Sequence, residues 1–435
     1  MTINLKNFLS DNKKMSKMGD FQELKDINGL EVSSVSADLY GNGRDDIALF
    51  YFKDGASYAT AYTLNTIVSE TITWNKKTDK KSVKALMVNT KNANTFTGQQ
   101  GKESIDAIAK DLSKSLTIRE SQSPEGIKET VKIKSLLFAS TGVIGEAFPV
   151  EEIQGTIQHL VENLKTNQNK MIWLKTASSI MTTDTRPKVA FEEVKIGNKV
   201  IRIAAVAKGS GMIAPNLATM LSFIFTDADI PSDILKRHLK KVITNTFNAI
   251  TVDSDTSTND MVSIFATRKV RVNSLQNTSS EDSQKFEKAL KVVCLDLAKQ
   301  IVVDGEGAKK FITVKIINSN SIQKAKKIAF SIANSPLIKT AVAGEDPNWG
   351  RILMGIGKSG EKVENKKLII KLGEFTIAEN GKVSESYNEE KLKEYMKWDS
   401  IVIEVNLNQG KDFFECYTCD FTHDYIDINA SYRRS

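Results

Sequence analysis

Cysteine, histidine and proline are all scarce in this chain of 435 residues, with three Cys, three His and seven Pro. An odd, small number of thiols argues against a disulfide framework. Three histidines leave little for a metal centre, which needs clustered His, Cys and carboxylate ligands. An excess of one charge is missing too: sixty basic residues face 53 acidic ones, for a net of +7. The lysines are scattered, with short runs such as "KKTDKK" (76–81). A nucleic-acid track would cluster Arg and Lys with stacking aromatics, so this balance suits small anionic ligands better. No stretch approaches the roughly 20 apolar residues that cross a bilayer. The first twenty residues hold no apolar segment of about 7–15 residues, and they carry acids that a transit peptide usually lacks. The expectation is a cytoplasmic protein with no nucleic-acid or membrane partner and no metal.

What the chain does have is length and apolar content, 40%. That is enough for a substantial core in two or three domain-sized units. In "EEIQGTIQHLVENL" (151–164), Ile153, Ile157, Leu160 and Leu164 form the stripe of an amphipathic helix and His159 falls beside it. His238 sits on a second such helix, with Leu235, Leu239 and Val242 as its stripe, and a third is expected over 281–300. Cys416 and Cys419 form a C-x-x-C, but "IVIEVNLNQGKDFFECYTCDF" reads as two strands joined by a turn. Residues three apart on a strand point to opposite faces, so these thiols do not chelate one ion. The order of strands and helices predicts α+β layers with no simple βαβ alternation.

Two strands end in an unusual way. "VKIKSLLFAS" (131–140) stops at Thr141-Gly142, and "KVIRIAAVAKGSG" (199–211) runs into a glycine turn carrying Lys208. The spacing in "KGSG" fits neither a Walker loop nor a dinucleotide fingerprint. A Thr-Gly after a strand can offer a hydroxyl and a backbone N–H to a developing oxyanion, because glycine lets the chain come close. A lysine in such a turn can hold a carboxylate. Behind a Pro-Asn turn, in "APNLATMLSF" (214–223), a single hydroxyl, Thr219, follows Ala218 inside an apolar run. Each feature alone is also what an ordinary structural turn would use.

Taken together, "ASTGVIG" (139–145), "IMTTDTRPK" (180–188), "AKGSGMIAPNLATML" (207–221), "FNAITVDSDTSTND" (247–260), "DGEGAKKF" (304–311), "GEDPNWGRI" (344–352) and "DYIDINASY" (424–432) resemble the ornithine acetyltransferase family, also called glutamate N-acetyltransferases. The likeness implies a mixed α/β fold, an N-terminal-nucleophile-like sandwich of sheets and helices plus a smaller C-terminal part. It implies self-cleavage between Ala218 and Thr219 into chains 1–218 and 219–435, with Thr219 becoming the nucleophile. Its freed α-amine, with a pKa of about 7.7–8.0, could then serve as the base. The implied reaction moves acetyl from N2-acetyl-ornithine to glutamate by a ping-pong route, within arginine biosynthesis. No cofactor is implied, and acetyl-CoA stays open as a further donor. Thr141 and Gly142 would stabilise the oxyanion. Thr182, Lys208, Glu306 and Asn429 match substrate-binding positions, with Lys208 suited to the α-carboxylate and Glu306 to the ornithine amine. The implied assembly is a heterotetramer of two chains of each kind.

The likeness departs at three places. Arg434 stands where the family carries Ser or Thr at its last substrate contact, Lys309 follows "EGA" where Thr is common, and Ala214-Pro215 replaces His-Pro. Other classes stay open on the residues alone. A self-processing aminopeptidase or amidohydrolase would hand the acyl group to water, an interaction protein would remain uncut, and a phosphate binder would use the "KGSG" turn.

Overall fold

The computed structural model describes residues 21–78, 82–122, 130–214 and 220–431. They form two compact units, one built from the described residues of 21–209, 220–244 and 256–297 and the other from those of 210–214, 245–255 and 298–431.

The first unit carries β1 (Glu31–Val35), β2 (Ile47–Tyr62), α1 (Glu70–Asn75), β3 (Val83–Asn89), α2 (Gly98–Ser121), β4 (Leu136–Ser140) and α3 (Val150–Glu162). It continues with α4 (Lys170–Ser179), β5 (Lys188–Ile196), β6 (Lys199–Lys208), β7 (Leu221–Ala228), α5 (Ser232–Thr244), β8 (Met261–Val270) and α6 (Glu281–Val303), whose last turns belong to the second unit. Its eight strands make one mixed sheet in the order β4-β3-β2-β8-β7-β6-β5, with β1 added on β2. The 16-residue β2 serves two neighbours in turn. Its first half pairs with β3, the register shifts between Tyr51 and Ala56, and the half from Ser57 onward pairs with β8. Gly55, at φ +74°, permits that break.

Both faces of this sheet are apolar, and each is covered. On one face the rings of Phe50 and Phe225 stack at 4.7 Å, Phe52 and Phe265 at 5.1 Å, and Phe225 and Phe265 at 5.6 Å, with Trp173 of α4 tilted on Phe225 at 5.9 Å. On the other face Ile47, Leu49, Tyr51 and Phe138 meet the apolar stripes of α2 and α3. The expected stripe of α3 is the buried one, and His159 is exposed.

The second unit holds β9 (Phe311–Ser319), α7 (Ile322–Ala333), α8 (Pro336–Ala343), α9 (Trp349–Gly357), β10 (Ile369–Leu372), β11 (Phe375–Glu379), β12 (Lys382–Val383), α10 (Glu389–Met396), β13 (Ser400–Asn406), β14 (Asp412–Cys419) and α11 (His423–Ser431). Its sheet runs β12-β11-β10-β13-β9-β14, and the helices bury Ile328, Ile332, Ile338 and Ile352 against it. The architecture is mixed α/β with a smaller C-terminal unit, as expected. Cys416 and Cys419 are buried free thiols on β14 at positions of opposite parity.

One local reading needs correction, and one histidine takes an unexpected partner. Residues 131–135 do not extend the strand: Ile133–Ser135 is a 3-10 turn, closed by the Ser135 N–H donating to Lys132 O, and β4 begins at Leu136. His238 lies on its expected helix and is buried there, between Ser283 Oγ at 2.9 Å and Glu287 Oε2 at 3.1 Å, with Phe286 edge-on to its ring. It sits one position beside the Leu235–Leu239–Val242 stripe, where α6 covers it. Burial lowers its pKa, against the opposing pull of Glu287.

Candidate active site

In the first unit the candidate groups come from the ends of two strands, β4 and β6, that are not neighbours in the sheet. β4 delivers Thr141 and Gly142 at its C-terminal end, and β6 delivers Lys208 as its last residue. Lys208, only 9% exposed, reaches across to donate from Nζ to Thr141 Oγ1 at 3.4 Å. The Thr141 N–H is used within the sheet, donating to Asn89 O at 3.1 Å, so its hydroxyl is the group left to face a ligand. Gly142 has φ +133°, and a Cβ there would overlap the carbonyl of Lys91. Only glycine fits, and among the described residues its N–H donates to no backbone carbonyl.

Asp184 organises this end of the unit. Its Oδ1 accepts from Lys188 Nζ at 2.6 Å and from the Gly209 N–H at 2.7 Å, while Oδ2 accepts from the Thr182 N–H at 3.0 Å. The Asp184–Lys188 pair is fully buried. Burial alone would raise the Asp184 pKa, but Lys188, Lys208 and the Gly209 amide outweigh it and hold the carboxyl well below the usual range. One carboxylate thus ties the "TTDT" loop bearing Thr182 to the turn bearing Lys208. Asp260 is a second buried acid near Lys208. Burial lifts its pKa well above the ordinary value against the pull of Lys208, the Ser257 hydroxyl and the Met220 N–H, and its Oδ2 accepts no hydrogen bond. The Met261 N–H in turn donates to Met220 O at 3.0 Å, so the start of β8 grips the residue just ahead of β7. Sequence reasoning carried Thr182 and Lys208 but passed over Asp184 and Asp260. Both lie inside quoted motifs, and an acid between two threonines or ending "TSTND" was the available signal.

Glu306 and Asn429 belong to the second unit. The Glu306 N–H donates to Ser210 O at 3.0 Å, and its carboxyl packs against Gly211, where a Cβ would overlap it. Asn429 Nδ2 donates to Glu306 Oε2 at 2.8 Å and to Tyr425 O at 3.0 Å. Among the described residues no cation pairs with Glu306. Lys309, the residue that departs from the family pattern, is turned to the surface, where its Nζ meets Asp424 at 3.1 Å. Ala218, Thr219 and Arg434 lie outside the described residues, and so does the 218/219 bond. Among the described residues, Lys208 pairs with Leu221 at the start of β7.

A hydroxyl, a glycine amide and a lysine gathered at the strand ends of a mixed α/β sheet are the parts used by acyl-transfer enzymes. The chain belongs to the ArgJ family, which it matches over residues 31–434. It is 39% identical over 417 residues to the "Arginine biosynthesis bifunctional protein ArgJ" of Bartonella quintana, covering 95% of this chain and 97% of that one. It is 40% identical over 412 residues to the protein of the same name from Gluconobacter oxydans, covering 94% and 93%. Among solved structures, a crystal structure of Arginine biosynthesis bifunctional protein argJ from Bacillus halodurans is 39% identical, with a TM-score of 0.45, covering 48% of this chain and 98% of that one.

Proposed function

We propose that this chain is a glutamate N-acetyltransferase that moves an acetyl group from N2-acetyl-L-ornithine to L-glutamate through an acetyl-Thr219 intermediate. It is an acyltransferase of arginine biosynthesis acting on small molecules. The observation that carries this reading is the meeting of Lys208 Nζ and Thr141 Oγ1 at 3.4 Å, beside Gly142 and opposite the start of β7.

In the proposed maturation the Thr219 hydroxyl attacks the Ala218 carbonyl, the acyl group passes from nitrogen to oxygen, and water hydrolyses the ester. Chains 1–218 and 219–435 result, the second with a free α-amine on Thr219. In turnover that amine takes the hydroxyl proton as Oγ1 attacks the acetyl carbonyl of acetyl-ornithine. The Thr141 hydroxyl and Gly142 N–H stabilise the tetrahedral oxyanion, a contribution of about 2.7–4 kcal/mol for each such donor. Ornithine leaves with the proton. The glutamate amine then attacks the acetyl-threonine ester, giving N-acetyl-glutamate and restoring the hydroxyl. Lys208 holds the α-carboxylate common to both amino acids, Thr182 lines the same site, and Glu306, steadied by Asn429, receives the ornithine side-chain amine. Arg434 takes the last contact in place of the family's hydroxyl residue. Acetyl-CoA can serve the same threonine as an alternative donor. The reading includes a cytoplasmic location and an assembly of two chains of each kind.

The test is direct. Protein mixed with acetyl-ornithine in the absence of glutamate should gain one acetyl mass on the fragment beginning at Thr219, at its first residue. Acetyl found elsewhere, or acetyl-ornithine consumed only by hydrolysis, would refute the assignment.

A further inference from the structure

The first unit has a second cleft, about 930 Å³ in volume, whose lining includes none of the residues assigned above. Its size falls within the range of small-molecule sites, roughly 300–1,000 Å³. Three cations from separate elements converge on it: Lys76 at the C-terminal cap of α1, Lys236 on α5 and Arg268 on β8. Among the described residues none of the three side chains makes an ion pair or hydrogen bond. Two acids, Asp229 and Asp233, also line the cleft, but Asp233 is engaged by Arg237 at 3.5 Å. Positive charge is therefore in excess.

Two features of the fold aim at this space. The thirteen-residue α5 begins at Ser232 on the cleft wall, so its positive N-terminal end opens into it. The β7–β8 ladder is interrupted beside it: Thr226 faces Ala266, but Ala228 faces Val270, so two strand steps on β7 match four on β8. Arg268 sits inside this bulge at φ +60° and is turned out of the ladder. Bulges of this kind re-aim a side chain. Three cations at a helix N-terminus match a phosphate, which carries about −1.5 to −2 charges near neutral pH, better than a single carboxylate.

We propose that this cleft binds a phosphorylated small molecule of nucleotide size, with Arg268, Lys236 and Lys76 supplying the counter-charge. The phosphate could belong to a free nucleotide or to the nucleotide end of a thioester donor. The inference goes beyond the acetyl-ornithine reaction and does not depend on it.

Isothermal titration of the full-length protein as purified, at low ionic strength, with ADP, CoA and inorganic phosphate tests the cleft. Saturable binding of ADP or CoA, competed by phosphate, is expected. It should weaken by about tenfold or more in a Lys236→Ala/Arg268→Ala double variant, while acetyl exchange between ornithine and glutamate stays at the parent rate. Arg268→Lys should keep most of the binding, which a folding defect would not allow. CoA binding much tighter than ADP assigns the thioester donor, and equal binding assigns a free nucleotide. No binding by the parent protein, or equally tight binding by the double variant, overturns the proposal. Neither result would touch the assignment of Thr219.

Discussion

Lys208 is the residue on which most of the electrostatics turns. It is almost buried, donates to Thr141, and acts on both Asp184 and Asp260. Losing a charged donor from a buried carboxylate ligand costs about 1.5–3 kcal/mol, so Lys208→Ala should raise KM for acetyl-ornithine and for glutamate together, by about tenfold or more. Steady-state kinetics with each substrate varied separately would check this; a rise for one alone would mean that Lys208 reads a different group. Thr219→Ala should leave an uncut chain that folds but transfers no acetyl, shown by a single 48.2 kDa band. A pH effect belongs to Asp227 on β7. Burial, opposed by the Arg202 N–H at 2.9 Å and its guanidinium, lifts the Asp227 carboxyl from 3.8 to about 6. The folded chain thus holds this proton more tightly than the unfolded chain does, and its contribution to stability falls as pH rises from about 4 through 6. Asp227→Asn keeps an acceptor for Arg202 and should remove that decline, so urea midpoints at pH 4.5 and 7.5 should lie closer together in the variant than in the parent.

At the scale of elements, the strand ends were legible because periodicity and glycine punctuate them. "IRIAAVAK" before "GSG" could only be a buried strand leading into a turn, and it became β6 with Lys208 last. The interruption at 131–135 was not legible, since alternating residues suit a strand and a 3-10 turn equally. Nor was the burial of His238, which depends on α6 arriving from a distant part of the chain. The same limit hid Asp184, because nothing in "TTDT" announces that its acid will meet the amide of Gly209. The turn after β4 can be tested by sterics. Gly142→Ala would force a Cβ into the Lys91 carbonyl at φ +133°. It should lower kcat by about 10²–10³ with a smaller change in KM, as expected for a displaced oxyanion donor. Gly155→Ala, in α3 with nothing near its Cβ, should leave kcat unchanged and is the matched control.

On the scale of the whole molecule, the proposed cut and the compact units do not coincide. β7 and β8, which follow residue 219, lie between β2 and β6, which precede it. The aromatic stack crosses the same divide, with Phe50 and Phe52 from one side and Phe225 and Phe265 from the other. Phe225→Ala should therefore cost about 3–5 kcal/mol in denaturant unfolding. It should also loosen the hold of one fragment on the other after cleavage, seen as earlier separation on size exclusion in mild urea. A heterotetramer, if formed, would be an association of two such interleaved pairs, and light scattering would distinguish it from a lone pair.

That placement of β7 gives the cut a second meaning. Two central strands cannot be slotted between finished neighbours, so under the proposed cleavage the chain would complete its sheet while still continuous. The proposed cleavage would in this sense be a timestamp of correct folding, with a chain that misplaces β7 expected to stay whole and inert. The fraction of cut protein emerging from a refolding experiment should follow the recovery of native structure and never run ahead of it.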